Sequence, residues 1–343
     1  MSNELTSLSR VLDSLRDDHR VPGVVGSLLL PDTSLCCASK GVRMRGSIEG
    51  LNPSDQWHIG SCGKLLTSWL CTQAVGGETP CWSRPVGEIF ADIATMDPTW
   101  MHITVQDLLT HHVNVRRDLS IRQMFKHWND GNEPQIQRSE IATIALSGKT
   151  DRLTAPRYSN LGYILVGAAI DRLFGSDFES LLLSHLHRSF GVESLGFGPP
   201  PRVRGHGARV RLGPIAVGLS SGRLPSDRYS DNPLVYASAG GMHIALGDLT
   251  TILAEVFLAG DGSPNAALAD AILKSVFTQV TSRVAHHKTD LDLYTLVGSN
   301  TLWSSAIVID KVRRSCAVVI ANDGRRRVVS ATALAAQRLL LSR

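Results

Sequence analysis

Strand-like segments near both ends of the chain enclose a long helical middle, and this order limits the folds open to the sequence. Residues 24–30 form a first strand-like run, and residues 291–297, 303–309 and 316–321 form three more near the C-terminus. Their length and β-branched content are typical of buried strands. The simplest assembly is one antiparallel sheet built from both chain ends, flanked by helices, with a helical domain inserted.

This pattern predicts an α/β (α+β) protein in two parts, a reasonable division for 343 residues. Residues 1–75 and 232–343 are expected to form the sheet domain, and residues 76–231 a mainly helical inserted domain. The terminal helices, with leucines at helical spacing in the first, are expected to cover the faces of the sheet. Residues 196–231, rich in Gly, Pro and Arg, are expected to be mostly loop.

Charge and composition narrow the possible partners. The net charge is only +4, and no block of five like charges occurs, which argues against a nucleic-acid binder. No apolar run approaches the roughly 20 residues that span a bilayer, and the first 20 residues lack the apolar core of a secretory signal. The six cysteines form no C-x-x-C pair, so we expect reduced thiols in a cytoplasmic protein without a membrane partner.

Ser61 and Lys64 are spaced to act together. They open an apolar run that reads as a buried helix, and three residues of helix place a hydroxyl and an amine on one face, about one turn apart. A serine hydroxyl becomes a good nucleophile when a neighbouring base takes its proton. No other lysine in the chain has a serine three residues before it.

A second candidate motif is Tyr158-Ser159-Asn160, directly before an apolar helix predicted from Leu161. A phenol and a carboxamide two residues apart can project into one site, where the phenol relays a proton and the amide binds a lysine or a substrate carbonyl. The alternative is that Ser159 or Asn160 is only a helix N-cap.

A third candidate lies between two C-terminal strands, where Gly298 and Ser299 are followed by Asn300 and Trp303. Glycine at a strand edge lets a ligand approach the backbone. The alternative is a simple hairpin turn.

In order and spacing, the three motifs resemble those of the serine beta-lactamase and penicillin-binding-protein superfamily, on the side of class C beta-lactamases and their esterase relatives. Residues 108–114 (LLTHHVN) resemble that family's L-L-T-H-T-S-G segment. Residues 231–243 resemble its D-N-P…A-G-G segment, and residues 298–303 resemble the G-S-N-x-x-W of esterase-like members. The resemblance extends from about residue 10 to the end of the chain.

The resemblance implies a covalent mechanism without a cofactor or metal. Ser61 would attack a carbonyl and become acylated, while Lys64 and Tyr158 would move the proton. Asn160 would orient Lys64 and bind the acyl side chain, and the oxyanion would lie between the backbone N–H groups of Ser61 and Ser299. The remaining substrate-binding positions implied are Gly298, Asn300 and Trp303. The partners would be a small-molecule acyl donor and an amine or alcohol acceptor.

The chain departs from the family at Leu296, where the third motif has Lys or His two residues before the glycine. That group often binds the carboxylate of beta-lactams and D-Ala peptides, so we expect an esterase or transacylase. Residues 286–288 (HHK) could supply a replacement cation. The alternatives are a beta-lactamase or D-amino-acid peptidase or amidase of the same fold, and a non-catalytic binding protein.

Two other segments compete for a functional role. Residues 218–222 match G-x-S-x-G, the nucleophile elbow of alpha/beta-hydrolases, but the sequence after them does not favour the required helix. The basic stretch 202–211, with Arg204, Arg209 and Arg211, could bind an anionic substrate, or could be a solvated loop or edge strand. The histidine pairs His111-His112 and His286-His287 lack metal-ligand spacing, so no metal is expected. Nothing in the sequence indicates the oligomeric state.

Overall fold

A computed structural model describes residues 2–72, 74–75, 79–212, 215–220, 227–258 and 293–341. Within these ranges only the backbone is described for residues 2, 74–75, 79–80, 208–212, 215–220, 227–228 and 257. The chain divides into two compact units. The first comprises Met1–Cys62, Phe190–Asp231 and Gly241–Arg343, and the second comprises Gly63–Ser189 and Asn232–Gly240.

The first unit is built on a five-stranded antiparallel sheet. Its strands are β1 (Gly23–Leu29), β2 (Leu35–Gly41), β10 (Leu293–Ser299), β11 (Ser304–Asp310) and β12 (Ser315–Ala321). The sheet order is β10-β11-β12-β1-β2, and the pairing of β1 with β12 runs from Val24 opposite Ala321 to Leu29 opposite Cys316. The predicted fold class is therefore confirmed: strands from both chain ends meet at the centre of one antiparallel sheet.

Both terminal helices pack on the same face of this sheet. Leucines of α1 (Ser2–His19) and of the last helix, α10 (Arg326–Leu341), share one apolar core with β1, β11 and β12. Side chains of successive strand residues point to opposite faces. Accordingly, a Cβ at Gly26 would contact Leu8 and Leu12 of α1, whereas Ser27 Oγ lies 2.8 Å from Thr250 Oγ1 of α9 (Leu246–Phe257). The second face is thus covered by α9, and the prediction that the terminal helices cover both faces was wrong.

Residues 196–231 differ from the predicted loop. Strand β6 (Gly196–Phe197) pairs with β9 (Met242–Ala245), which also pairs with β3 (Gln56–His58), and β7 (His206–Leu212) forms a hairpin with β8 (Ile215–Ser220). The period-2 alternation of Ala208, Val210 and Leu212 with arginines is the strand signal that the Gly, Pro and Arg content hid. This stretch belongs to the sheet-containing unit, whereas the predicted boundaries placed it with the helices.

The second unit is mainly helical. Its helices are α2 (Lys64–Leu70), α3 (Val86–Ile89), α4 (Val105–Leu109), α5 (Ile121–Asn129), α6 (Pro134–Leu146), α7 (Asn160–Phe174) and α8 (Phe178–Phe190, whose last residue falls in the first unit), together with the hairpin of β4 (Ala74–Val75) and β5 (Thr79–Pro80). The almost wholly apolar α7 is its centre and packs against α4, α6 and the 3₁₀ turn Leu234–Ala239. Among the described residues, no helix is both long and apolar enough to cross a membrane.

Candidate functional site

Lys64 is the first residue of α2 and is 1% exposed. Its Nζ donates a hydrogen bond of 2.7 Å to Asn160 Oδ1 and another to the backbone carbonyl of Ala239. The amine also lies 4.9 Å from the ring centroid of Tyr158 and 5.1 Å from that of Tyr163. The second unit therefore holds this buried amine between two oxygen acceptors and two aromatic rings.

Tyr158 and Asn160 share an acceptor with this amine. The Tyr158 hydroxyl donates to Asn160 Oδ1 at 2.9 Å, and Asn160 Nδ2 donates to Asp118 Oδ1 at 2.6 Å. Asp118 thus fixes the amide so that its oxygen faces both the phenol and Lys64. Sequence reasoning missed Asp118, because a carboxylate 42 positions away carries no spacing signal.

The helix-cap alternative and the site hypothesis are compatible at this motif. Ser159 is the N-cap of α7, since its Oγ accepts from the N–H of Gly162 at 2.9 Å. It also donates to the carbonyl of Arg116 at 2.6 Å. The capping serine therefore sets the position from which its two neighbours reach Lys64.

His111 is a buried neighbour of this group. It has a left-handed backbone, with φ of 61°, and its Nδ1 accepts a hydrogen bond of 3.3 Å from the N–H of Ser159. Its ring centroid lies 4.8 Å from that of Tyr158. Burial, followed by the positive charges of Lys64 and His112, lowers the pKa of His111 to about 3. This histidine is therefore a neutral spacer at ordinary pH.

Ser61 lies in the first unit, in the 3₁₀ turn Gly60–Gly63 that follows β3, and is half-buried. Gly60 has φ of +52°, and a Cβ there would fall 2.4 Å from the backbone nitrogen of Ser299. A Cβ on Gly298 would lie 2.1 Å from the carbonyl oxygen of Ile59. Two glycines thus let the backbone of the serine turn lie directly against the end of β10.

Asn300 and Trp303 belong to a network that supports this turn. Asn300 Nδ2 donates to Asp231 Oδ1 at 2.9 Å, and Asp231 Oδ2 lies 2.7 Å from His58 Nε2. The N–H of Gly60 donates to His58 Nδ1 at 3.0 Å, so the ring proton is on Nε2 and is given to Asp231. The buried Trp303 stacks on His58 with centroids 5.4 Å apart. Contact of these two side chains with a substrate stays a prediction.

The structure describes Leu296 but not the side chains of the basic residues that could replace the charge missing there. Leu296 is 7% exposed, and its carbonyl accepts from Cys62 Sγ at 3.9 Å. Residues 286–288 lie outside the described residues, and only the backbone of Arg209 and Arg211 is described, in β7. In the G-x-S-x-G segment 218–222, Ser220 is the last residue of β8, and residues 221–222 lie outside the described residues.

One group of side chains in the described part of the chain could offer metal ligands, namely His127, Asp130 and Glu140 of the helical unit. His127 Nδ1 lies 3.0 Å from Asp130 Oδ2, and Glu140 forms an ion pair with Lys126. Asp130 and Glu140 are thus already engaged by His127 and Lys126.

Comparison with known proteins supports the fold. A family model described as Beta-lactamase matches residues 8–340. The beta-lactamase from Sulfitobacter sp. EE-36 superposes with a TM-score of 0.72 at 17% identity, covering 100% of this chain and 99% of that one. SurE superposes with a TM-score of 0.71 at 22% identity, covering 100% and 75%. The D-amino acid amidase from Ochrobactrum anthropi SV3, complexed with D-phenylalanine, gives 0.71 at 17% identity, covering 98% and 99%.

A curated relative matches only part of the chain. The probable fimbrial assembly protein FimD, serogroup H1, of Dichelobacter nodosus is 27% identical over 150 residues, which is 42% of this chain and 36% of the relative. The chain therefore spans about a third of that relative's length.

The depressed pKa of His111 predicts a loss of stability in mild acid. The unfolded histidine titrates near 6.5 and the folded one near 3, so below pH 6.5 the unfolded chain binds a proton that the folded chain does not. Between about pH 7.5 and about pH 5.5 this group should cost about 1.4 kcal/mol of the free energy of unfolding. Urea unfolding at both pH values should show His111→Asn losing that much less than wild type.

Asparagine suits the test because it tolerates the positive φ and retains an acceptor for Ser159. His187→Asn, at an exposed position of α8, is the control and should keep the wild-type pH dependence. An equal loss in His111→Asn and wild type would contradict the account.

Proposed function

Because the chain belongs to the beta-lactamase family, we propose that it is a serine-nucleophile acyl-transfer enzyme, an esterase or transacylase that forms an acyl-enzyme with a small-molecule ester or amide. The observation that carries the proposal is the environment of Lys64, a buried amine that shares the acceptor Asn160 Oδ1 with the phenol of Tyr158. The amine also lies 4.9 Å from the ring centroid of Tyr158, so a candidate base and a phenol that can relay a proton are neighbours.

The nucleophile is Ser61. Gly63 has helical φ and ψ of −60° and −21°, so the turn that carries Ser61 continues into α2, where Lys64 follows after three residues. Side chains at that spacing lie on one face of a helix. The hydroxyl attacks the carbonyl carbon as its proton passes to the unprotonated amine of Lys64, either directly or through Tyr158, whose hydroxyl gives its own proton to the amine as it takes the serine proton. The ammonium group then returns a proton by the same path to the leaving group as the bond to that group breaks.

The oxyanion is bound by the backbone N–H groups of Ser61 and Ser299. The contact of Gly60 with the backbone of Gly298 and Ser299 supports this assignment, because it brings the serine turn against the end of β10. Donors fixed by strand and turn need no reorganisation when negative charge develops on the carbonyl oxygen.

A second candidate is a D-amino-acid amidase or peptidase, or a beta-lactamase. Among the structural neighbours are a D-amino acid amidase, a D-alanine carboxypeptidase from Burkholderia cenocepacia and SurE with D-Leu. Against this candidate stands Leu296, which offers no charge for a substrate carboxylate. A non-catalytic binding protein is the third candidate, and acylation of Ser61 would eliminate it.

Lys64→Ala and Tyr158→Phe should each lower the rate of acylation by an activated nitrophenyl ester by ~10² or more, the scale expected for loss of a general base. The double variant should be little slower than either single variant, because both side chains serve one proton path. The measurement is the burst of nitrophenol in rapid mixing.

Lys149→Ala and Tyr294→Phe are the matched controls and should acylate at the wild-type rate. Lys149 is exposed after α6, and Tyr294 is half-buried near the start of β10. If Tyr158→Phe acylates at a near-normal rate, Tyr158-Ser159-Asn160 serves only as the start of α7.

Hydrolysis of a beta-lactam such as nitrocefin should be slow or absent beside ester turnover. Losing a charged hydrogen bond to the substrate carboxylate at Leu296 costs roughly 1.5–3 kcal/mol, or about 10- to 150-fold in binding. Leu296→His should raise the ratio of nitrocefin to neutral-ester kcat/KM. Efficient nitrocefin turnover by the wild-type protein would refute this prediction and favour the second candidate.

A further inference from the structure

An open groove of about 710 Å³ in the helical unit is lined by three arginines beside Tyr158. Arg116, Arg117 and Arg157 all have exposed side chains, and Asp118 is the only acidic residue among the described residues that line the groove. We call this groove, defined by Arg116, Arg117 and Arg157, the arginine groove. It carries an excess of positive charge next to the phenol that the proposed function uses.

The backbone of this groove is fixed to the start of α7. The carbonyl of Arg117 accepts the N–H groups of Asn160 at 2.7 Å and Leu161 at 3.3 Å. The carbonyl of Arg116 accepts the hydroxyl of Ser159. The same segment that presents the amide of Asn160 to Lys64 therefore also positions two of the arginines.

The arginine charges are only partly neutralised within the protein. Arg157 Nη2 donates to the carbonyl of Val115 at 3.1 Å and to the side-chain oxygen of Asn114, both of which are uncharged. Arg117 Nε lies 3.5 Å from Asp118 Oδ2, and its guanidinium is 5.3 Å from the ring centroid of Tyr158. Within the described residues, neither Arg116 nor Arg157 forms an ion pair.

Asp118 is also committed elsewhere, because its Oδ1 accepts from Asn160. One carboxylate that orients the site amide cannot balance three guanidinium groups. The groove is thus suited to an anion supplied by a ligand, and planar guanidinium groups favour carboxylates, which they bind through paired hydrogen bonds.

We propose that the arginine groove binds a carboxylate in the acyl part of the substrate, so that the acyl donor is an ester or amide of an anionic acid. This inference rests on the proposed function, since it names the substrate class of the same site. It also accounts for Leu296: the carboxylate is recognised beside Tyr158, and the strand position that carries Lys or His elsewhere in the family has no charge to bind.

The test compares two nitrophenyl esters of equal length, a monoester of glutaric acid and its neutral carboxamide counterpart. Wild type should prefer the anionic ester in kcat/KM by roughly tenfold, a modest figure because exposed charges interact weakly in water. Arg116→Gln combined with Arg117→Gln should reduce this ratio to about one. The ratio should also fall as the salt concentration rises, since exposed charges are screened.

Arg188→Gln removes an exposed arginine of α8 outside the groove and should keep the wild-type ratio. A ratio near one in wild type, or an unchanged ratio in the double variant, would overturn the inference. Neutral esters that still acylate Ser61 would in that case leave the proposed function standing.

A binding measurement separates the two proposals. Calorimetric titration of Ser61→Ala with a carboxylate-ended amide should show binding that is lost in the same protein with both arginines replaced. If the amide binds through the arginines but no ester acylates the wild-type protein, carboxylate binding in the groove stands and the proposed enzyme activity is rejected. If the amide does not bind, the proposed carboxylate site in the groove is contradicted.

Discussion

The hydrogen bonds of one buried amine join three elements of the helical unit. Lys64 joins α2 to Asn160 at the start of α7 and to the carbonyl of Ala239 in the 3₁₀ turn. Neighbouring bonds repeat these connections, because Thr67 Oγ1 donates to the carbonyl of Ser238, and Ser238 Oγ donates to that of Tyr163. An unpaired buried amine would be costly, so the positions of these three elements and of Lys64 depend on each other.

In the sheet-containing unit the corresponding constraint is contact between two stretches of backbone. Gly60 and Gly298 leave no room for a Cβ, and Ser305 Oγ donates to the carbonyl of Ile59 at 2.6 Å. His58, Asp231 and Asn300 then secure the turn from its other side. Ser61, the proposed nucleophile, therefore lies on a segment whose shape is set by backbone packing and a buried polar network, as a preorganised site requires.

The sequence predicted those features that leave a local pattern. Apolar runs identified the strands at both chain ends, and the S-x-x-K and Y-x-N spacings identified Lys64, Tyr158 and Asn160, which the structure brings together. It did not predict Asp118 or the pair of His58 and Asp231, because partners 42 and 173 positions apart are joined only by the fold. The β7–β8 hairpin was not predicted because the Arg and Gly content of this stretch favours a loop, although apolar residues alternate with arginines in β7. The arginine groove was not predicted because its residues come from two separate loops.

The central claim is that Ser61 becomes covalently acylated, and mass spectrometry tests it most directly. After brief mixing with an activated ester, intact-mass analysis should show one added acyl group, and peptide mapping should place it on Ser61. Ser61→Ala should remain unmodified, and Lys64→Ala should gain the adduct at least ~10² times more slowly. An adduct on Ser220 or Ser221, or equal labelling of Ser61→Ala, would contradict the account.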